Sequence, residues 1–564
     1  MHGRIKVRTS EEQAEIKRRE QQEKLKIYLG VTSKIVSKRA AGEHDLEGLE
    51  LTGQLLLKNP DFYTLWNYRR EILLAWKPDK TVEELRSICL VELDLTQNCL
   101  RVSPKSYSAW NHRLWTMEFH PEGDWNRELK LCNYFLSQDE RNFHCWDYRR
   151  LVAKKCKVSA EEELAYTYEL IETNFSNYSA WHYRSKLLPI VYFDSDKGSL
   201  KEEVLLKEFD LVENAAFTDP DDSSVRFYHR WLLGRSKTPL ELLNISVLKP
   251  QKAVFVLFSE PIKVDSDCLT LDVNGDLVPV TWMTITPNST VASLWKCGLP
   301  DFILQVGTAD EKLTVSATLR IGEEKYTLSC DLKENVSYRW RNEQRANMFR
   351  SELSTAAKDV LEAELESCQS LNELEPNGKW TIFTCVLLMR ALNNAKFQKE
   401  IESFMKNLTE VDVSRKNYYN DLGSKFVIED VLETLPLEAT EVDLSNRQLT
   451  SLCHFEQLIL IQKINLSSNN LMSVYPLRHL ISVESIILDD NEIASLDGIQ
   501  ELNYLRSLSL KRNSIREPSE IEVLISCSSL QELFLEGNAV LDSEDYVPTL
   551  QKLPALKSID TSSL

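Results

Sequence analysis

The chain has 564 residues, 43% of them hydrophobic and 27% charged, which is typical of a globular protein. A single hydrophobic core does not grow to this size, so we expect three or four domains. The formal charge is 67 − 86 = −19, which argues against a nucleic-acid binder and favours a solvated acidic surface or partners with basic surfaces.

The sequence shows no signal for secretion or membrane insertion. The N-terminus reads MHGRIKVRTSEEQ and lacks the apolar segment of a secretory signal, and no apolar run of about 18 residues predicts a membrane span. The twelve cysteines form no C-x-x-C pair and no Cys/His cluster with zinc spacing. We therefore expect a cytoplasmic protein with no transmembrane segment and with reduced, buried thiols.

Five segments in the first half of the chain share one pattern. They read NPDFYTLWNYRR from Asn59, SPKSYSAWNHRL from Ser103, DERNFHCWDYRR from Asp139, NFSNYSAWHYRS from Asn174 and DPDDSSVRFYHR from Asp219. Each begins with Asn, Ser or Asp, which predicts a helix N-cap there, and in three of them proline follows at the first helical position. Seven residues after the predicted caps stand Trp66, Trp110, Trp146, Trp181 and Arg226. Their spacings of 44, 36, 35 and 45 residues predict an array of helical hairpins.

The tryptophan and the basic residue three positions later lie on one face of each predicted helix. An aromatic stripe at helical spacing is usually part of a core, so we interpret these residues as structural. We expect Arg113, Arg149 and Arg184 to stack on the tryptophans or to bond neighbouring helix ends.

Lys105 and Arg141 occupy the second position after the predicted caps of consecutive segments. A cation in the first turn of a helix opposes the helix dipole, whereas a cation beside free N–H groups favours a bound phosphate. The two residues therefore suggest an anion site, and two solvated basic side chains are the alternative.

After Gly234 the sequence changes to short segments that alternate apolar and polar residues, with tight-turn signals at 274–276 and 321–325. These segments predict a β-sandwich of about a hundred residues. Helical patterns return from Tyr338 to about Leu435. We therefore expect the sandwich to be inserted into a helical domain, with the later helices packing against the first ones.

The C-terminal part has the pattern of leucine-rich repeats. Asn469, Asn491, Asn513 and Asn538 are 22, 22 and 25 residues apart, which predicts one short strand per coil and an asparagine that bonds the backbone inside each turn. The predicted fold is therefore multidomain and mainly α. It comprises helical repeats at 1–240, an Ig-like β-sandwich at 241–345, further helices at 346–437 and leucine-rich repeats at 438–564.

Hairpins that carry W-x-x-R every 35 to 45 residues resemble the repeats of the protein prenyltransferase α-subunit family, with the match running from about residue 55 to 235. Tetratricopeptide arrays have a fixed period of about 34 residues and a different signature, so they fit less well. The order of repeats, sandwich and leucine-rich tail resembles the α subunits of the family's Rab-modifying geranylgeranyltransferases. Farnesyl-type α subunits lack the last two modules.

The resemblance implies a function and a set of site residues. The α subunit would act only with a β subunit, transferring geranylgeranyl from geranylgeranyl diphosphate to C-terminal cysteines of Rab GTPases that an escort protein presents. Lys105 would stabilise the diphosphate that leaves when the thiolate attacks the prenyl C1, beside Tyr107. In the third repeat the corresponding aromatic–His pair is Phe143 and His144, and His144 would line the same end of the substrate, although a structural role for His144 is as plausible. Arg141 would join the site as the second basic residue of the suggested anion site.

The resemblance also assigns zinc, the cofactor, to the β subunit rather than to this chain. His2 could visit the partner's metal from a mobile N-terminus, and a disordered terminus is the alternative. Two other interpretations of the chain stay open: a non-enzymatic scaffold of helical and leucine-rich repeats, and the shared α subunit of the farnesyl-type enzymes, which the C-terminal repeats disfavour.

Overall fold

The computed structural model of the chain describes residues 11–194, 199–234, 240–265, 268–286, 288–299, 313–333, 335–341, 349, 358–500, 502–560 and 562–563. The chain divides into two units, Met1–Lys207 with Asp222–Tyr228 and Glu208–Asp221 with His229–Leu564. No described helix combines the length and the apolar composition that a bilayer span requires.

Helices joined by short turns make up the first unit. They are α1 (Glu11–Ala40), α2 (Leu46–Leu56), α3 (Tyr63–Trp76), α4 (Val82–Val102), α5 (Tyr107–Phe119), α6 (Trp125–Gln138), α7 (Phe143–Cys156), α8 (Ala160–Thr173) and α9 (Tyr178–Tyr192), followed by the short strands β1 (Phe193–Asp194) and β2 (Ser199–Leu200). Capping boxes start α4 at Thr81 and α8 at Ser159. Helices α2/α3, α4/α5, α6/α7 and α8/α9 pack as pairs, which confirms the predicted hairpins.

The tryptophan-bearing helices begin three residues later than predicted, so the predicted N-caps are wrong. Ser103, Asp139 and Asn174 instead end the preceding helices α4, α6 and α8. The N-caps of α5, α7 and α9 are Ser106, Asn142 and Asn177, whose side chains each accept a hydrogen bond from a first-turn backbone N–H. The reason is that Ser, Asp and Asn also favour turns, where they bond the backbone two residues on.

Each repeat tryptophan is buried and closes the turn before its own helix. The indole N–H groups of Trp66, Trp110, Trp146 and Trp181 donate to the carbonyl oxygens of Pro60, Pro104, Glu140 and Phe175, at 2.7 to 2.8 Å. The donor and its acceptor are six residues apart every time. The structural interpretation of the tryptophans is therefore confirmed.

The arginines of the first three repeats join their own hairpin to the next one, whereas Arg184 bonds the Leu164 carbonyl of α8 within its own hairpin. The Arg113 guanidinium is fully buried, bonds the Leu93 carbonyl of α4 and forms two hydrogen bonds with Glu128 of α6, at 2.6 and 2.7 Å. The equivalent buried pairs are Arg69–Glu92 and Arg149–Glu163. The predicted contact with neighbouring helices is thus present, but the repeat pattern did not identify the glutamates as the partners. Paired this way, a buried guanidinium keeps its charge neutralised in a medium of low dielectric constant.

Helix α10 (Glu202–Thr218) and helix α11 (Ser223–Leu232) complete the fifth segment, and the second unit contains α12 (Lys358–Leu374), α13 (Lys379–Val411) and α14 (Lys416–Thr434). His229 stands where the other segments have arginine, and its Nε2 lies 2.8 Å from the Glu364 carboxylate of α12. The neighbouring Arg230 guanidinium lies 4.9 Å from the Phe383 ring of α13. The last residues of α11 therefore contact the later helices.

Two antiparallel sheets follow α11 and share a hydrophobic core. One has the strand order β10-β9-β5-β6 and the other β11-β3-β4-β8-β7. The strands are β3 (Leu242–Leu248), β4 (Ala253–Ile262), β5 (Leu269–Val273), β6 (Asp276–Val278), β7 (Met283–Thr284), β8 (Ala292–Gly298), β9 (Thr314–Ile321), β10 (Glu324–Asp331) and β11 (Val336–Trp340). Val254 and Trp295 from one sheet meet Leu271 and Ala317 from the other in this core.

A third sheet is built from very short strands at the C-terminus. Its order is β12 (Glu441–Asp443), β13 (Lys463–Asn465), β14 (Ser485–Ile487), β15 (Ser507–Ser509), β16 (Glu532–Phe534), β17 (Ser558–Ile559) and β18 (Ser562–Ser563), with all neighbours parallel except the last pair. The Asn469 side chain donates to the carbonyls of Leu444 and Leu466 and accepts from the Leu449 N–H. Asn491, Asn513 and Asn538 repeat this bonding, which confirms the predicted role of the asparagines. Two short helices, α15 (Pro518–Glu522) and α16 (Tyr546–Leu550), lie in the later coils.

The antiparallel sheets and the C-terminal coil share a second hydrophobic cluster. Ile459 of the coil packs with Leu243, Phe255 and Trp340 of the five-stranded sheet. The Tyr504 hydroxyl also donates to the Pro250 carbonyl across the same boundary. These two parts of the second unit are therefore held together by buried apolar surface.

Candidate functional site

Lys105 lies in the turn between α4 and α5, which spans Ser103–Ser106 and is called the lysine turn below. The prediction that Lys105 is the second residue of a helix is wrong, because the helix starts only after Ser106. The side chain of Lys105 is 63% exposed. It therefore extends from a turn into solvent, next to the N-terminus of α5.

The backbone of the lysine turn is fixed on both sides of Lys105. The Pro104 carbonyl accepts hydrogen bonds from Trp110 Nε1 and from Asn142 Nδ2, both at 2.8 Å. The Ser106 hydroxyl donates to the Asp61 carboxylate at 2.6 Å. The exposed Lys105 thus lies on a turn that hydrogen bonds from the preceding and the following repeat hold in position.

The Lys105 ammonium forms an ion pair with Asp139. The distance from Nζ to Oδ2 is 3.1 Å, and the Asp139 side chain is 35% exposed. The other carboxylate oxygen, Oδ1, accepts a hydrogen bond from the Arg141 backbone N–H at 3.1 Å. Asp139, which the sequence pattern predicted only as a helix cap, therefore faces Lys105 from the next repeat.

Arg141 bonds the turn of the fourth repeat. Its guanidinium donates to the Ser176 carbonyl at 2.6 Å, and the Ser224 hydroxyl donates to the same oxygen at 3.0 Å. The two basic residues that the sequence suggested as one anion site thus have different partners, Asp139 for Lys105 and the turn of the fourth repeat for Arg141.

Three aromatic side chains lie beside the lysine turn. The Tyr107 ring meets the His144 imidazole edge-on with 4.0 Å between centroids, and the Phe143 ring is 3.9 Å from the same imidazole. Tyr107 and Phe143 are 69% and 51% exposed, whereas His144 is buried beneath them. The structure therefore brings Tyr107 and His144 together, with the two outer rings open to another molecule.

Burial lowers the pKa of His144 below its usual value, and the nearby Lys105 charge lowers it further, against the opposing charges of Asp147 and Asp61. A neutral imidazole at neutral pH follows from this direction of the shift. His144 can then donate or accept a hydrogen bond but does not add a positive charge to the site.

The described residues offer no metal site. None of their His, Cys, Asp and Glu side chains form a group of three that could hold an ion. All twelve cysteines lie among the described residues, none of them forms a disulfide, and nine of them are buried. His2 lies outside the described residues. The donor set of the described chain therefore does not fit a resident zinc ion.

Chemically, this arrangement can neutralise an anion that another molecule brings to it. A lysine is a strong donor to phosphate oxygens, and an exposed phenol beside it adds a second possible donor. Asp61, Asn142 and Asp139, which hold the lysine turn or its lysine, were missed because they act between repeats. The signal that could have found Asp139 and Asn142 is the recurrence of Asp, Asn or Ser at the first and fourth positions of the second to fifth segments. Asp61 stands at the third position of its segment, and this pattern does not mark it.

Comparison with known proteins identifies the repeats. The family described as protein prenyltransferase alpha subunit repeat matches residues 45–76, 90–120, 125–156 and 160–190. The chain is 45% identical over 469 residues to the geranylgeranyl transferase type-2 subunit alpha of Bos taurus and equally to that of Homo sapiens, each match covering 82% of both chains. The chain belongs to the geranylgeranyl transferase type-2 α-subunit family.

Membership of this family confirms the interpretation of the chain as an enzyme subunit and does not favour the non-enzymatic scaffold. A shorter member from Dictyostelium discoideum is 40% identical over 270 residues, which are 48% of this chain and 85% of that relative. Most of the shorter family member therefore corresponds to about half of this chain.

Proposed function

We propose that this chain is the α subunit of a heterodimer that transfers geranylgeranyl from geranylgeranyl diphosphate to C-terminal cysteines of Rab GTPases bound to an escort protein. The observation that carries the proposal is Lys105, an exposed ammonium on a turn that three hydrogen bonds hold in place. Family membership supports the partner subunit and the prenyl diphosphate substrate.

In the proposed reaction a cysteine thiolate forms a bond to the prenyl C1 as the C1–O bond breaks and the diphosphate leaves with the electron pair. Lys105 neutralises the charge that develops on the leaving oxygen. One well-placed donor of this kind contributes about 3–4 kcal/mol to transition-state stabilisation. Because the lysine turn is fixed before the substrate arrives, little reorganisation is needed when the charge develops.

The other site residues have supporting roles in this proposal. Tyr107 offers its hydroxyl to the diphosphate, and its ring is held by the neutral imidazole of His144. Arg141 contributes long-range positive charge, since its guanidinium is bonded to the Ser176 carbonyl. His2 is proposed, as the sequence suggested, to contact the metal ion of the partner subunit.

Activation of the thiol is assigned to the β subunit. There a zinc ion would lower the pKa of the substrate cysteine and so favour the thiolate. In this proposal the chain's own contribution is limited to the leaving-group end.

The remaining parts of the proposal concern the modules and their location. We assign residues 1–240 and 346–437 to one helical domain, 241–345 to an Ig-like sandwich and 438–564 to leucine-rich repeats. The two sheets that share a core and the asparagine-bonded coil support these assignments. Cysteines that form no disulfide among the described residues suit the proposed cytoplasmic location.

The test is reconstitution from purified components. The chain alone and the chain with its β subunit are each incubated with labelled geranylgeranyl diphosphate and a Rab–escort complex. We expect label on the Rab C-terminus only with both subunits. Transfer by this chain alone would overturn the proposal, as would a reconstituted heterodimer that modifies farnesyl-type peptide substrates and leaves Rab unmodified.

A further inference from the structure

The ion pair between Lys105 and Asp139 means that Lys105 already has an anionic partner before any substrate is present. The pair is close, at 3.1 Å, and both side chains are partly exposed. A diphosphate that binds Lys105 must therefore compete with a carboxylate of the same chain.

The negative charge of Asp139 is not needed for its local turn. Asn174 stands at the same position one repeat later, and its side-chain oxygen accepts from the Ser176 N–H at 2.9 Å, as Asp139 accepts from the Arg141 N–H at 3.1 Å. An amide therefore serves this turn as well as a carboxylate does. The negative charge of Asp139 therefore has its role in the ion pair with Lys105.

The electrostatic consequence has a definite sign. A carboxylate beside the ammonium lowers the positive potential that an approaching diphosphate meets, and it repels the diphosphate directly. The ion pair also restrains the Lys105 side chain. This effect favours diphosphate binding, because a restrained side chain loses less conformational entropy when the diphosphate binds. Replacement of Asp139 by asparagine separates the two effects, since the amide oxygen can still accept from Lys105 while the charge is removed.

We propose that Asp139 is an affinity-determining residue of the diphosphate site, whose carboxylate pairs with Lys105 in the resting enzyme and weakens the hold of Lys105 on the diphosphate product. This inference rests on the proposed function of Lys105. It gives the site a way to bind the leaving group during reaction and to release it afterwards, because Asp139 takes the ammonium back as diphosphate departs.

The experiment measures inhibition by inorganic diphosphate, in competition with geranylgeranyl diphosphate, on the purified heterodimer. Four forms of this chain are compared: wild type, Asp139→Asn, Lys105→Ala and the double variant. We expect Asp139→Asn to tighten diphosphate binding by about two- to fivefold, the range for a partly exposed ion pair. In the Lys105→Ala background the same change should have no effect.

Asp124→Asn is the matched control. Asp124 caps the opposite end of α6 through its side chain, a role that asparagine fills equally well, and the substitution changes the net charge by the same amount. We expect it to leave diphosphate binding unchanged. Equal tightening in this control, or in the Lys105→Ala background, would show a general charge effect and overturn the inference.

Two further outcomes separate this inference from the proposed function. If Lys105→Ala weakens diphosphate binding but Asp139→Asn leaves it unchanged or weakens it, the role of Asp139 is wrong and that of Lys105 stands. If Lys105→Ala changes neither diphosphate binding nor transfer, the proposed function of Lys105 fails, and the inference fails with it.

Discussion

Trp110 Nε1 donates a hydrogen bond to the carbonyl oxygen of Pro104 at 2.8 Å, and Pro104 directly precedes Lys105. The same bond joins the tryptophan and the turn in the other three tryptophan repeats. The side chain that builds the core of a hairpin therefore also fixes the turn at its end. In the second repeat that turn carries Lys105, to which we assign neutralisation of the leaving diphosphate.

Replacement of Lys105 by alanine should slow transfer without separating the subunits. We expect the single-turnover rate to fall about 10²-fold, the scale for removing one transition-state donor. Affinity for geranylgeranyl diphosphate should change less, because the apolar tail supplies most of the binding free energy. Rapid-quench assays measure the single-turnover rate, and size-exclusion chromatography shows whether the two subunits stay together. Lys154→Ala, an exposed lysine in the last turn of α7, is the control and should react at the wild-type rate.

Replacement of Trp110 by alanine should instead destabilise the subunit. Trp110 is 5% exposed, and loss of a buried tryptophan costs about 3–5 kcal/mol of unfolding free energy. Urea titration followed by circular dichroism measures the change. Trp115→Ala, which removes a partly buried indole from the same helix, should cost clearly less. Equal losses for both variants would contradict the role assigned to Trp110.

Breaking the pair Arg113–Glu128 on one side should cost more than replacing both partners. Arg113→Met leaves the Glu128 carboxylate buried with the Tyr148 hydroxyl as its remaining side-chain partner among the described residues, and such a change costs about 3–5 kcal/mol. The double variant Arg113→Met/Glu128→Leu should recover part of this loss, since it buries no uncompensated charge. Chemical denaturation of the two variants decides the point, and a double variant that is less stable than Arg113→Met would contradict it.

His112 should make the stability of the first unit depend on pH. Burial lowers the pKa of this fully buried histidine, although its bond to Glu92 opposes the shift. The unfolded chain therefore binds a proton below about pH 6.5 that the folded chain excludes, and stability falls as pH drops from 7.5 through that range. We expect urea midpoints of wild type to fall more between pH 7.5 and 5.5 than those of His112→Gln. Parallel pH profiles would show that other groups dominate.

Deletion of residues 438–564 should expose apolar surface. Ile428 and Leu432 of α14 pack into the core of the C-terminal coil, and Trp340 of the five-stranded sheet packs on Ile459. We expect the truncated chain to bind a hydrophobic dye more strongly and to aggregate more readily than the full chain. Heterodimer that remains folded should still transfer geranylgeranyl, since the Lys105 site lies outside the deletion. A folded but inactive truncation would show that the tail shapes the active site.

The hairpin array and the C-terminal coil could be predicted because large or special side chains recur at fixed spacing in both. The helix starts could not. The segment from Ser103 to Ser106 contains two serines able to cap a helix, and the choice of Ser106 depends on its bond to Asp61 of another repeat. The ion pair Lys105–Asp139 was missed for the same reason, since its partners are 34 positions apart and local rules do not join them.

The buried arginines give the helical array a direction. Arg69, Arg113 and Arg149 each depend on a carboxylate supplied by the hairpin that follows in the chain. A protein that ended after any of these hairpins would keep a guanidinium without its counter-charge, and one that began after it would keep the carboxylate without its guanidinium. Each of these hairpins therefore needs its neighbour to complete its polar core, and ribosomal synthesis delivers each arginine before the carboxylate that pairs with it.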